Sequence, residues 1–126
     1  MATLEHELTV ADAAREAGVS GHTLRYYERA GLLPAVERNG SGHRRYTSDD
    51  VAWVVMITRL RATGMPIRRI REYAELVWAG EGTERERLAI MEAHREHVLE
   101  QLAAIEHNLE LIDYKISLYR GKLEGR

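Results

Sequence analysis

The 126-residue chain has no cysteine. That excludes a disulfide framework, a thiolate metal site, a thiol redox switch and a cysteine nucleophile. It also lacks a long apolar run: the longest, Val51 to Ile57, is seven residues, against the roughly 20 a bilayer-spanning helix needs. The first residues, MATLEHELTV, carry acids where a secretory signal would place basic residues and then an apolar stretch. A soluble, cytoplasmic protein of one domain with room for an appendage is expected, without a membrane partner. Lysine is nearly missing as well. Of the 18 basic residues all but Lys115 and Lys122 are Arg, the side chain that grips phosphate and guanine bidentately.

The net charge of −2 hides an uneven distribution. Between Arg15 and Arg71 eleven Arg stand against five acids, a local balance of +6, whereas from Glu81 onward seven bases meet ten acids, a balance of −3. A basic first part joined to an acidic, helix-rich tail fits a nucleic-acid-binding head on an interaction element. Charge alone fits ordinary solvated Arg on a highly charged surface equally well.

Thr9 can cap a short helix with Val10, Ala13, Ala14 and Ala17 at helical spacing, and Gly18 stops it. Ser20 caps a second helix running to about Ala30. Two short helices around the Gly18-Val19-Ser20 turn have the dimensions of a helix-turn-helix, with the second as recognition helix exposing His22, Thr23, Arg25, Tyr26 and Arg29. Val36-Glu37-Arg38, Asn39-Gly40-Ser41-Gly42 and His43-Arg44-Arg45-Tyr46 then read as strand, turn and strand. The hairpin is either a wing along a DNA backbone or a connecting surface loop.

Thr47, Ser48 and Asp50 supply capping chemistry for a third helix, Asp49 to Thr63, whose centre is apolar almost all round. Pro66 falls in the first turn of a fourth helix that reaches about Trp78. The organisation expected is a head at 1–78, a linker at 79–83, a helix at 84–120 and a tail at 121–126. Along the long helix Leu88, Met91, Arg95, Val98, Leu102, Ile105, Leu109, Ile112, Ile116 and Tyr119 are spaced alternately three and four apart, a heptad seam. Leu at a with Ile at d points away from a parallel two-stranded coil and toward an antiparallel pair or a higher oligomer. Folding back is disfavoured, because a head of about 80 residues is too small to cover such a seam. Val98, Leu102, Ile105, Leu109, Ile112 and Ile116 are the expected self-association residues.

At Thr23-Leu24-Arg25-Tyr26-Tyr27-Glu28-Arg29-Ala30-Gly31-Leu32-Leu33-Pro34 the chain resembles the MerR family of bacterial transcription regulators. The likeness continues through Gly42-His43-Arg44-Arg45-Tyr46, Asp50-Val51 and Arg61-Ala62-Thr63-Gly64-Met65-Pro66-Ile67, and covers nearly the whole chain. It implies a mainly α fold: a winged helix-turn-helix with a small β-hairpin wing, a second helix pair, and a long C-terminal helix forming an antiparallel coiled-coil dimer. It also implies a function as a homodimer that binds an inverted repeat in a promoter spacer and distorts the DNA, so that RNA polymerase is engaged indirectly through the promoter.

The DNA-contacting set implied is Ser20, His22, Thr23, Arg25, Tyr26, Tyr27, Arg44, Arg45, Tyr46 and Arg61. Tyr26 should face outward and Tyr27 be partly buried, since neighbours on a helix point about 100° apart. An excisionase-like architectural protein is the alternative. An enzyme has no support: there is no nucleophile-base pair, phosphate-cradling loop or metal cluster.

Without Cys, the thiol-based metal and aldehyde sensing of relatives is excluded, and no cofactor is expected. His94, His97 and Glu100 are expected as solvated flank residues rather than metal ligands. Trp53, Met56, Tyr73 and Trp78 are either core or the lining of a small apolar effector pocket, for a small molecule that the sequence does not identify.

Overall fold

The computed structural model describes residues 7–34, 37–38 and 44–125, with the backbone alone at 37, 38 and 44. Its elements run α1 (Val10–Ala17), α2 (Gly21–Arg29), β1 (Glu37–Arg38), β2 (Arg44–Arg45), α3 (Ser48–Ala62), α4 (Ile67–Trp78) and α5 (Glu84–Leu123). The expected turn at Asn39-Gly40-Ser41-Gly42 lies outside the described residues.

Each of the first three helices begins on a local cap. Thr9 accepts from the Asp12 N–H at 3.1 Å and Ser20 from the Thr23 N–H at 3.0 Å. At Thr47 the cap is reciprocal: its hydroxyl accepts from the Asp50 N–H at 3.1 Å, while the Asp50 carboxylate accepts from the Thr47 N–H at 3.0 Å. Such caps satisfy N–H groups that have no partner inside the helix. Gly18 closes α1 at φ +76° with its N–H on the Ala14 and Arg15 carbonyls, a left-handed conformation that side chains with a Cβ disfavour. Pro66 is the N-cap of α4 at ψ 149° and lies one residue before the first turn.

Strands β1 and β2 pair antiparallel with Glu37 opposite Arg45 and Arg38 opposite Arg44. A separate bridge joins the N-terminal segment to the residue after β2. Leu8 and Tyr46 exchange backbone hydrogen bonds of 2.8 and 2.9 Å, a third pairing that the sequence reading lacked.

The chain divides into two compact units, 1–90 and 91–126. In the first, Leu24, Tyr27, Leu32, Tyr46, Val54, Ile57 and Ile70 are the largest fully buried side chains. Each of the five aliphatic ones contributes about 1.5–3 kcal/mol of burial, and together with the two tyrosines they fix α2 and α3 around one centre. Ile90 joins this core at 5% exposure, so the first two turns of α5 belong with the head, beyond the boundary at 78 that the Gly-rich linker suggested. Thr83 anchors that entry by donating to the Leu76 carbonyl at 2.8 Å and accepting from Arg87 Nε at 2.9 Å.

The second unit is the remainder of α5, which as a whole has 40 residues and a length of about 60 Å. Leu102, Ile105, Leu109, Ile112 and Ile116 are all exposed along it, and Val98 is half-buried. Among the described residues no helix is long and apolar enough to cross a membrane.

Candidate nucleic-acid interface

The site is built on α2. Its period places Leu24 and Tyr27 in the core at 0% and 2% exposure, which turns His22, Arg25 and Arg29 to the surface and leaves Thr23 and Tyr26 half-buried. Ser20 is exposed and its hydroxyl lies 3.0 Å from that of Thr23. Arg25 and Arg29 have no carboxylate partner among the described residues. Arg15, Arg69 and Arg87 each pair with an acid three residues away at 2.9–3.0 Å, whereas the exposed Arg59, Arg68, Arg85, Arg95 and Arg120 have, like Arg25 and Arg29, no carboxylate partner among the described residues.

Two residues on the expected contact set turn inward. Tyr27 is more deeply buried than its helix position suggested, and its hydroxyl meets Thr58 Oγ1 at 3.1 Å. Tyr46 is 1% exposed, because pairing with Leu8 directs its ring into the core. Both side chains are therefore buried in the single chain, where they support the surface from beneath. Arg45 is bound to Glu7 in an ion pair. The side chain of Arg44 lies outside the described residues.

Arg61 reaches the same region from the last turn of α3. It is exposed, and its guanidinium carbon lies 5.6 Å from the ring centroids of both Tyr26 and Tyr27. Two further residues position α2, and sequence reading gave neither this role. Arg71 of α4 donates from Nε to the Ala30 carbonyl at 2.9 Å, and Trp53 donates from Nε1 to the Leu32 carbonyl at 2.6 Å. The partners are 41 and 21 residues apart, so no local pattern marks them.

The aromatic residues considered for an effector do come together. Trp53 stacks on Tyr73 with centroids 6.2 Å apart and planes at 15°, and Trp78 lies 6.0 Å away on Trp53. Trp78 is 42% exposed, while Trp53, Met56 and Tyr73 pack against the core. On α5 the rings of His94 and His97 are 6.1 Å apart. Desolvation, then the charge of His97, holds His94 below the ordinary imidazole value. Among the described residues no group of three metal-ligating side chains includes them.

A family model described as MerR HTH family regulatory protein matches residues 8–76, and one described as MerR, DNA binding matches residues 51–113. The chain is 38% identical over 112 residues to an uncharacterized HTH-type transcriptional regulator of Haemophilus influenzae, an alignment covering 89% of this chain and 83% of that protein. It is 37% identical over 93 residues to the HTH-type transcriptional regulator AdhR of Bacillus subtilis, covering 74% of this chain and 66% of AdhR. Among solved structures it is similar to HiNmlR, a MerR family regulator lacking the sensor domain and bound to promoter DNA: TM-score 0.84, 37% identity, 96% of this chain and 97% of that one. A MerR family regulator from Bacillus thuringiensis gives TM-score 0.79 at 30% identity, covering 89% of this chain and 98% of that one.

Proposed function

The chain belongs to the MerR family of HTH transcriptional regulators, and from that premise we propose that it is a homodimer that binds an inverted repeat in a promoter spacer and acts on transcription by distorting the DNA. It is a regulator and not an enzyme. The observation that carries the DNA reading is the outer face of α2, where Arg25 and Arg29 stand exposed without a carboxylate partner among the described residues, with His22 and Tyr26 beside them. An Arg fork suits guanine or phosphate and a Tyr hydroxyl suits phosphate. The solved relative bound to promoter DNA supports the reading of a DNA-binding chain.

Dimerisation is supported by the uncovered apolar seam of α5. Five large aliphatic side chains from Leu102 to Ile116 are each at least 43% exposed, and an antiparallel coiled coil is the partner geometry that their a and d identities favour. Two heads at a fixed separation then read two half-sites, and bending the spacer costs a few kcal/mol that the phosphate contacts offset. RNA polymerase enters indirectly, through the altered promoter. The aromatic group of Trp53, Tyr73 and Trp78 is the place at which a small apolar effector would act, since Trp53 is bonded to the segment that follows α2.

The test is selection of a duplex from a randomised library, followed by mobility shift and transcription with RNA polymerase. Binding should be salt-sensitive, protect an inverted repeat and fall sharply for Arg25→Ala. Equal affinity for a scrambled duplex would sink the reading. Binding that leaves transcription unchanged would favour an architectural role.

A further inference from the structure

Five residues, Ala79 to Thr83, separate α4 from α5, and two of them, Gly80 and Gly82, hold φ of +90° and +100°. Glycine adopts such angles without strain and leaves them as readily, so the stretch has the composition of a hinge. Its polar groups are nevertheless engaged. The Thr83 hydroxyl shares its hydrogen between the Leu76 carbonyl at 2.8 Å and the Gly80 carbonyl at 3.1 Å. The Glu84 carboxylate accepts from the Gly82 N–H at 2.9 Å.

Arg87 joins these bonds into one network. Its Nε donates to Thr83 Oγ1 at 2.9 Å, and its Nη2 donates to the Gly80 carbonyl at 3.3 Å and to the Glu84 carboxylate at 2.9 Å. A single half-buried arginine therefore grips the linker at Gly80, the start of α5 at Thr83 and its first turn at Glu84. Arg15 and Arg69 also pair with an acid three residues away, but among the described residues neither bonds a backbone carbonyl. Thr83 is fastened to Leu76 of α4, and Ile90 is buried in the core at 5% exposure, so the beginning of α5 is held on both sides of Arg87.

We propose that Arg87 is a positioning residue for the dimer on DNA: it fastens the corner at Gly80 and Gly82, fixes the start of α5 on the head, and thereby sets the half-site spacing that two heads accept. The inference rests on the reading of the protein as a dimer that binds an inverted repeat. Each base pair added between half-sites displaces one of them by about 3.4 Å along the duplex and about a tenth of a turn around it. Two linked heads follow that displacement by moving their corners or by deforming the DNA further. A fastened corner resists the first of these, and a free pair of glycines permits it.

The test measures affinity for the selected inverted repeat, for the same repeat with its half-sites moved closer or apart by single base pairs, and for an isolated half-site. It uses the full chain, Arg87→Met, Thr83→Val and the double variant, each checked as a folded dimer by light scattering and tryptophan fluorescence. Arg87→Met keeps the aliphatic stem and removes the guanidinium. It should leave half-site affinity nearly unchanged and reduce the preference for the selected spacing over its neighbours about tenfold, the factor that one charge-assisted hydrogen bond supplies. Thr83→Val removes the acceptor of Nε and should relax the same preference, and the double variant should go little beyond either single one. Either single variant carries the test if the other does not fold. A spacing preference as sharp in the variants as in the unmodified chain would overturn the inference. So would an equal loss for every duplex, the half-site included, which would place the effect of Arg87 in the DNA-binding face of the head. An unmodified chain indifferent to spacing would remove the reading of a dimer on an inverted repeat, an outcome visible before any variant is compared.

Discussion

Arg71 Nε lies 2.9 Å from the carbonyl oxygen of Ala30, the C-cap residue of α2. This bond ties the fourth helix to the end of the helix that carries Arg25 and Tyr26. It satisfies a carbonyl that the helix cannot pair internally, and a cation there also complements the negative end of the helix dipole.

Arg71→Met should therefore keep the aliphatic stem and lose the bond. The expected cost is about 1 kcal/mol, read as a fall in Tm of about 3–5 °C. DNA affinity should fall with it, because the end of α2 is released, while the salt slope stays unchanged. A slope reduced by about one would instead place Arg71 on a phosphate.

Tyr27→Phe tests whether this tyrosine supports the surface or meets DNA. The ring remains in the core, Thr58 keeps its bond to the Val54 carbonyl, and one hydroxyl contact is lost. About 1 kcal/mol of stability should go, measured by denaturant unfolding, with the unfolding slope m preserved. Affinity for the selected duplex, measured under conditions where both proteins are fully folded, should change less than for Arg25→Ala.

Helix beginnings were legible because each is written within three residues: Thr9 with Asp12, Ser20 with Thr23, Thr47 with Asp50. The seam on α5 was legible for the same reason, as a periodic property of one segment. What holds α2 in place was not. Leu8 meets Tyr46 across 38 residues and Arg71 meets Ala30 across 41, and neither pair leaves a mark in its own neighbourhood. The fate of the tyrosines follows from that gap. A Tyr after two arginines reads as a polar end of a wing, and only its pairing with Leu8 turns the ring of Tyr46 inward. Tyr27 was half legible, since the helical angle predicted that one of the adjacent pair packs inward. Its bond to Thr58, 31 residues on, lay beyond that argument.

Acid should weaken the protein through His94. Burial first, and the neighbouring His97 second, lower its pKa from the ordinary 6.5, so the unfolded chain binds this proton more readily than the folded one. The contribution is full above 6.5 and is lost as pH falls through 6.5 toward the folded value. Thermal unfolding at about pH 7.5 and about pH 5.5, on either side of the ordinary value, should show a lower Tm in acid. His97→Gln removes the repelling charge and should narrow that difference, and an unchanged difference would assign the acid effect to other groups.

The seam of α5 offers the sharpest test of assembly. Leu102→Asp with Leu109→Asp places two charges on an apolar face that is half-exposed in the single chain, so the cost falls on association rather than on folding. Light scattering should show the unmodified chain as a dimer and the double variant as a monomer. The core of residues 1–90 contains neither position, so its tryptophan fluorescence and unfolding should be kept. A monomer engages one half-site at a time, and the loss of linkage between two heads should lower affinity for the inverted repeat by about 100-fold or more. Affinity for an isolated half-site should change little. A double variant that retains the dimer mass would show that the apolar seam is not the surface through which two copies meet.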